Sequence, residues 1–151
     1  MHDHTHHQSL NSLAFNATLH CFTGCAIGEV LGMVVGTAFH WSNLQTIILA
    51  VVLAFVFGYI LTLIPLLRHG MSYSKALSLA FASDTVSIIV MEIIDNLIML
   101  LIPGAMDAHI TDSFFWISLA IALAAAFLVV LPVNRWLIKK GKGHAVVHEY
   151  H

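Results

Sequence analysis

The chain has 151 residues, of which 59% are hydrophobic and only 9% are charged, and its mean hydropathy is +0.88. Because an ordinary soluble domain carries about 25% charged residues, this composition excludes a soluble globular protein and indicates an integral membrane protein. The formal net charge is −2, and with no basic patch outside the predicted helix ends nothing indicates a nucleic-acid partner.

Four apolar segments are each long enough to cross a lipid bilayer. They cover residues 19–39, 44–67, 76–102 and 114–138, and short connectors force neighbouring segments to run antiparallel. We therefore predict an all-α, integral membrane four-helix bundle over residues 19–140. The remaining residues are predicted to form flexible tails: a His-rich one at 1–18 and a His-containing one at 141–151.

The basic residues predict the orientation of the bundle. All six fall on one side of the four-helix arrangement: Arg68, Lys75, Arg135, Lys139, Lys140 and Lys142. Since cytoplasmic loops carry the excess of lysine and arginine, both termini are predicted to be cytoplasmic. The expected location is the inner, cytoplasmic membrane, with the lipid bilayer as a partner.

The first segment carries two patterns with a period of four residues. One is a stripe of small residues, which lets two helices approach closely and predicts a homo-oligomer contact: Gly24, Gly28, Gly32 and Gly36. The other, the ladder, is a row of possible metal ligands: Cys21, Cys25, Glu29 and Met33. Soft sulfur ligands select Cu(I), Zn(II) and similar ions, although cysteine and methionine are also common packing residues.

The third segment separates into a polar half and an apolar half on a helical wheel. The polar half holds Asp84, Thr85, Ser87, Met91, Glu92, Asp95, Asn96 and Met99. Because the basic residues lie near the predicted cytoplasmic side, its acids have no cationic partner at their depth. A proton or cation path is the favoured interpretation, and a network of protonated acids or a buried ligand site are the alternatives.

Eleven histidines are unusual in so short a chain. Seven lie near the termini and are interpreted either as weak metal-collecting sites or as solvated residues: His2, His4, His6, His7, His144, His148 and His151. His40 lies at the outer end of the first segment. His109, with Met106, Asp107 and Asp112, indicates an external ion site in the third connector.

Three motifs together resemble a bacterial family known as domain of unknown function 4396. They are HCxxGC followed by GE, the segment DTxSIxxMExxDN, and the closing NRWLIxxGKGHAVVH. The resemblance covers nearly the whole chain from His20 onward. It implies a small integral membrane protein and supplies no activity.

Our first functional hypothesis is a transporter or channel for a transition-metal cation, with copper favoured over zinc. The ion would pass between the first and third segments, and its predicted ligands are His20, Cys21, Cys25, Glu29, Met33, Asp84, Met91, Glu92 and Asp95. One alternative is a membrane thiol-redox or electron-transfer protein, for which the CxxxC spacing is poor. Another is a proton or monovalent-cation channel that uses only the carboxylates. An enzymatic role is less favoured.

Overall fold

The computed structural model describes residues 9–140, which form four long helices. These are α1 (Leu10–Ala38), α2 (Asn43–Arg68), α3 (Tyr73–Leu101) and α4 (Ser113–Lys139). All four are long and apolar enough to cross a membrane, which confirms the predicted all-α, membrane-spanning four-helix fold. Residues 1–8 of the predicted N-terminal tail and the whole of the predicted C-terminal tail at 141–151, which hold the seven histidines near the termini, lie outside the described residues.

Polar side chains set the starts of the helices. The Ser9 hydroxyl accepts a hydrogen bond from the Ser12 amide, and Ser42 and Gln45 form a capping box at the start of α2. Asp112 accepts a bond from the Phe114 amide at the start of α4. Each bond satisfies an amide that has no partner within its own helix, which is why these residue types favour helix starts.

The first helix begins nine residues before the predicted Leu19, which corrects the boundary of the N-terminal tail. Asn11, Ser12 and Asn16 lower the hydropathy of this stretch, so a hydropathy criterion leaves it out. The same stretch nevertheless buries Ala14 and Ala17 against Ile138 of α4. Burial of one helical face stabilises a segment that is too polar to be recognised as a span by itself.

The glycine stripe of α1 packs against α2 of the same chain. A Cβ atom added to any of the four glycines would collide with α2, at Gly58, Ala54, Ala50 and Thr46 in turn. The prediction that this face joins two copies of the protein is therefore wrong, because α2 already covers it. Small residues on both helices bring the two backbones together, as in other membrane helix pairs.

Helices α1 and α3 face each other across the bundle, and α2 and α4 each pack against both of them. The interior therefore receives one face of α1 and one face of α3. Described lysines and arginines lie at one end of the bundle, where α2 and α4 end and α3 begins. The connector between α3 and α4 and the turn between α1 and α2 lie at the opposite end, here called the outer end.

Candidate cation pathway between the first and third helices

The inner face of α3 is the polar half of the helical wheel. All three of its acids are buried: Asp84, Glu92 and Asp95. Large apolar side chains occupy the outward face, among them Ile89, Ile93 and Leu97. The predicted separation into a polar half that faces the interior and an apolar half that faces outward is confirmed.

The ladder of α1 lies entirely in the interior. Cys25 and Glu29 are each 1% exposed, and Cys21 and Met33 are also buried. Side chains four residues apart on a helix lie one above the other, about 6 Å apart along the axis. The ladder therefore forms one continuous line, and it faces the acids of α3.

Three carboxyl groups meet in what we call the carboxyl cluster: Glu29 of α1 with Glu92 and Asp95 of α3. Glu29 is close enough to interact directly with both of the others. Within residues 9–140, neither carboxyl oxygen of Glu29 and neither of Asp95 has a hydrogen-bond partner, and Glu92 Oε2 has none either. The lysines and arginines in that range lie toward the other end of the bundle. Unpartnered buried carboxylates are costly, so this cluster requires protons or a bound cation.

The two thiols continue the line from the carboxyl cluster toward the basic end of the bundle. Cys25 interacts with the carboxyl group of Glu92, and its Sγ atom lies 4.0 Å from that of Cys21. Both cysteines are free, and both pack in one cluster with the buried Met91. Three sulfur-bearing side chains therefore lie beside the carboxyl cluster, and apolar side chains such as Ile88 and Val130 pack with them.

A second polar group, the hydroxyl relay, lies beyond the thiols and connects three helices. His20 Nε2 of α1 lies 2.8 Å from the Thr62 hydroxyl of α2, which donates to Asp84 Oδ2 of α3 at 2.5 Å. Ser83 donates to the other Asp84 oxygen at 2.8 Å. Since Thr62 gives its proton to Asp84, the His20 nitrogen must be the donor in its own bond.

A third polar group ties α1, α3 and α4 together. Ser87 of α3 donates to Asn134 Oδ1 of α4, and Asn134 Nδ2 donates to Thr18 Oγ1 of α1 at 3.0 Å. Thr18 in turn donates to the backbone carbonyl of Ala14. This series of hydrogen bonds gives each of its polar groups a partner within the protein, and it holds the three helices against one another.

All nine predicted ligands face the interior, but they do not form one site. They divide among the carboxyl cluster, the sulfur atoms beside it, the hydroxyl relay, and Met33 at the outer end of the ladder. Among the described side chains, no group of three or more His, Cys, Asp and Glu residues is arranged to hold a metal ion. Met33 instead packs with Met99 in a separate apolar cluster.

Two important residues were missed at the level of sequence. Thr62 and Asn134 each connect helices, through the hydroxyl relay and through the Ser87 chain respectively. Each is a polar residue within a strongly apolar span, and that was the signal available in the sequence. A helical wheel of a single helix cannot show the partners, because they come from other helices.

Four apolar helices around an interior of acids and thiols define a small multi-pass membrane protein of the four-helix bundle class. Residues 11–143 match the family described as Domain of unknown function (DUF4396), and the chain belongs to that family. This confirms the resemblance drawn from the sequence motifs. Neither the curated proteins nor the solved structures that were compared contain a match to this chain.

Proposed function

We propose that the protein conducts a cation across the membrane along the face shared by α1 and α3, and that this cation is a transition metal, with copper favoured over zinc. The proposed path connects the outer end with the basic end of the bundle, past Met33, the carboxyl cluster, the thiols and the hydroxyl relay. The charge distribution favours the cytoplasmic membrane, with the basic end on the cytoplasmic side.

The carboxyl cluster is the observation that carries this proposal. An ionisable side chain in a membrane span costs several kcal/mol unless it is paired, and here three share one buried place. Four oxygens of Glu29 and Asp95 have no hydrogen-bond partner among residues 9–140. A purely structural network would be expected to satisfy its own atoms, as the hydroxyl relay does.

The thiols favour a soft metal ion over a hard one. Two thiolates at about 2.3 Å from one tetrahedral zinc ion are about 3.8 Å apart, and the Cys21 and Cys25 sulfurs are 4.0 Å apart. The pair can therefore approach one ion with little rearrangement. Because Cys25 also contacts Glu92, an ion leaving the carboxyl cluster would meet the sulfur pair next.

The absence of a three-ligand group in residues 9–140 agrees with transport better than with storage. Conduction requires several successive sites, each weak enough to release its ion. A closed coordination sphere of three or four ligands would hold the ion too tightly. Pairs of ligands along the ladder provide the graded series that a path needs.

A flux assay in vesicles tests this function. Purified protein reconstituted in lipid vesicles is expected to pass Cu(I) or its analogue Ag(I) faster than protein-free vesicles do, and the Glu92→Gln variant is expected to be slower. Asp112→Asn is the matched control, because it removes an exposed carboxylate at the start of α4 while asparagine remains a good helix cap. Equal metal flux with and without protein would reject the proposal.

A proton path is the second candidate, and the carboxyl cluster favours it too. Carboxyl groups that face one another can share protons. Proton transfer also does not require a group of three metal ligands, and residues 9–140 contain none. A proton flux that depends on Asp95 and not on the cysteines would identify this alternative. The thiol-redox alternative is less favoured, because burial of both sulfurs protects them from attack by an external thiolate.

A further inference from the structure

A cavity of about 320 Å³ opens at the outer end of the bundle. We call it the outer vestibule, and its lining includes Met33, His40, Met106, Asp107 and His109. These residues come from α1, from the turn after it, and from the connector between α3 and α4. Two thioethers and two imidazoles thus line one small space, although they are far apart in the sequence.

Met33 connects the outer vestibule to the interior. It is 3% exposed, lines the cavity, and stands one helical turn above Glu29 on the ladder. An ion bound to its sulfur atom would therefore be about 6 Å, measured along the axis of α1, from the level of the carboxyl cluster. The remaining ligand-bearing residues lie at the mouth, where His40, Asp107 and His109 are exposed.

His40 adopts the left-handed backbone conformation in the turn that ends α1. Its φ is +54°, and the Trp41 amide bonds back to the Gly36 carbonyl at 2.9 Å, which closes a helix-terminating turn. At the end of α2 the equivalent residue is Gly70, with φ +83° and the Met71 amide bonded to Leu66. Glycine is the usual residue in this left-handed position, because a Cβ atom there is disfavoured.

Hydrogen bonds hold the other side of the mouth. Asn43 Nδ2 at the start of α2 donates to Asp107 Oδ1 at 3.3 Å, which joins the two connectors across the vestibule. The Thr111 hydroxyl lies 2.9 Å from His109 Nδ1. The Thr111 backbone amide also donates to His109 Nδ1, at 3.5 Å, so these contacts orient the ring and use Nδ1 as an acceptor.

We infer that the outer vestibule is a binding site for a soft monovalent metal ion of the Cu(I) type, held by the thioethers of Met33 and Met106 together with the imidazole of His40. Neutral thioethers suit Cu(I) and Ag(I) far better than hard cations, so the site selects by ligand softness. That an ion bound in the outer vestibule then enters the path rests on the proposed function, whereas binding of the metal ion in the vestibule does not.

Methionine methyl NMR of the full chain in detergent micelles tests the site with Ag(I) as the probe. The chain has six methionines, and Met33→Leu and Met106→Leu variants assign the two relevant signals. Ag(I) is expected to shift both signals and to leave that of Met71, at the opposite end of the bundle, unchanged. His40→Gly is expected to weaken binding about tenfold without harming the fold, because glycine suits the left-handed turn.

The outcomes separate this inference from the proposed function. Shifts of Met33 and Met106 in a protein that conducts no metal would support the site and reject the transport function. Metal flux without those shifts would overturn the site and leave the transport function standing. Equal shifts with Zn(II) would also overturn it, since thioethers would then not be selecting a soft ion.

Discussion

The two acidic regions of the interior differ in how their oxygens are satisfied. Asp84 receives hydroxyl donors on both oxygens, from Thr62 and Ser83. Glu29 and Asp95, both 1% exposed, receive no bond from a hydroxyl, amide or imidazole donor in residues 9–140, and Glu29 has the carboxyl groups of Asp95 and Glu92 as its close polar neighbours. A buried carboxyl group thus has two hydroxyl donors in the hydroxyl relay and none in the carboxyl cluster.

From this difference we expect Asp84 to hold the helices together and Glu29 and Asp95 to interact with an ion. A satisfied buried group is part of the fold, and removing its partner costs stability. Glu29 and Asp95 have other acids as their close polar neighbours, so replacing these carboxyl groups with amides removes buried like charge and is expected to cost little stability. We therefore expect changes in the hydroxyl relay to affect folding and changes in the carboxyl cluster to affect transport.

The largest expected effect follows from neutralising the carboxyl cluster with the double substitution Glu29→Gln and Asp95→Asn. Metal flux into vesicles should fall about a hundredfold, because about 3 kcal/mol of charge compensation for the ion is lost. The free energy of unfolding in mixed micelles should stay the same or rise. A variant that unfolds easily while conducting normally would show that these acids support the fold instead.

The next effect concerns the hydroxyl relay, which Thr62→Val breaks with almost no change of shape. We expect a loss of about 2 kcal/mol in the free energy of unfolding, because Asp84 loses a donor and His20 loses an acceptor. The matched control is Thr23→Val on the exposed face of α1, where the hydroxyl bonds only to its own helix at the Leu19 carbonyl. An equal cost for both variants would contradict the distinction between the two regions.

The sequence predicted the parts of this molecule that depend on one helix at a time. Hydropathy placed α2, α3 and α4 within about three residues of their observed ends, and the helical wheel of α3 gave its inner face. The ladder of α1 was also predicted, because a period of four residues is visible along the chain. These features depend on local periodicity, which needs no knowledge of neighbouring helices.

The features that were not predicted depend on contacts between helices. The glycine stripe indicated close packing, but only the structure identified α2 as its neighbour. The extension of α1 back to Leu10 depends on Ile138, more than a hundred residues away. The division of the acids into two regions depends on Thr62 and on the facing of Glu29 toward α3. Whether an ion follows this path stays a prediction.

A smaller effect is expected from the thiols, and it identifies the ion. Replacing Cys21 and Cys25 with serine should reduce Cu(I) or Ag(I) flux about tenfold, since oxygen is a poor substitute for sulfur with soft ions. Proton flux, measured with a pH-sensitive dye in the same vesicles, should not change. Met71→Leu controls for loss of a sulfur atom outside the path. Unchanged metal flux in the serine variant would show that the thiols are not part of the path and that the carboxylates alone form it.

The smallest effect is expected at Ser87, which lies on the inner face of α3 between the two acidic regions. Ser87→Ala removes a donor to Asn134, while Asn134 keeps its own bond to Thr18. We expect a loss of about 1 kcal/mol in the free energy of unfolding and no change in flux, with the exposed Ser78→Ala as the control. Because Ser87 is buried on the inner face of α3, a change in flux without a change in stability would mean that the path includes this hydroxyl. The Ser87–Asn134–Thr18 group would then be part of the ion path, as the carboxyl cluster is. Of the groups with satisfied hydrogen bonds, only the hydroxyl relay would remain as one that stabilises the fold without taking part in transport.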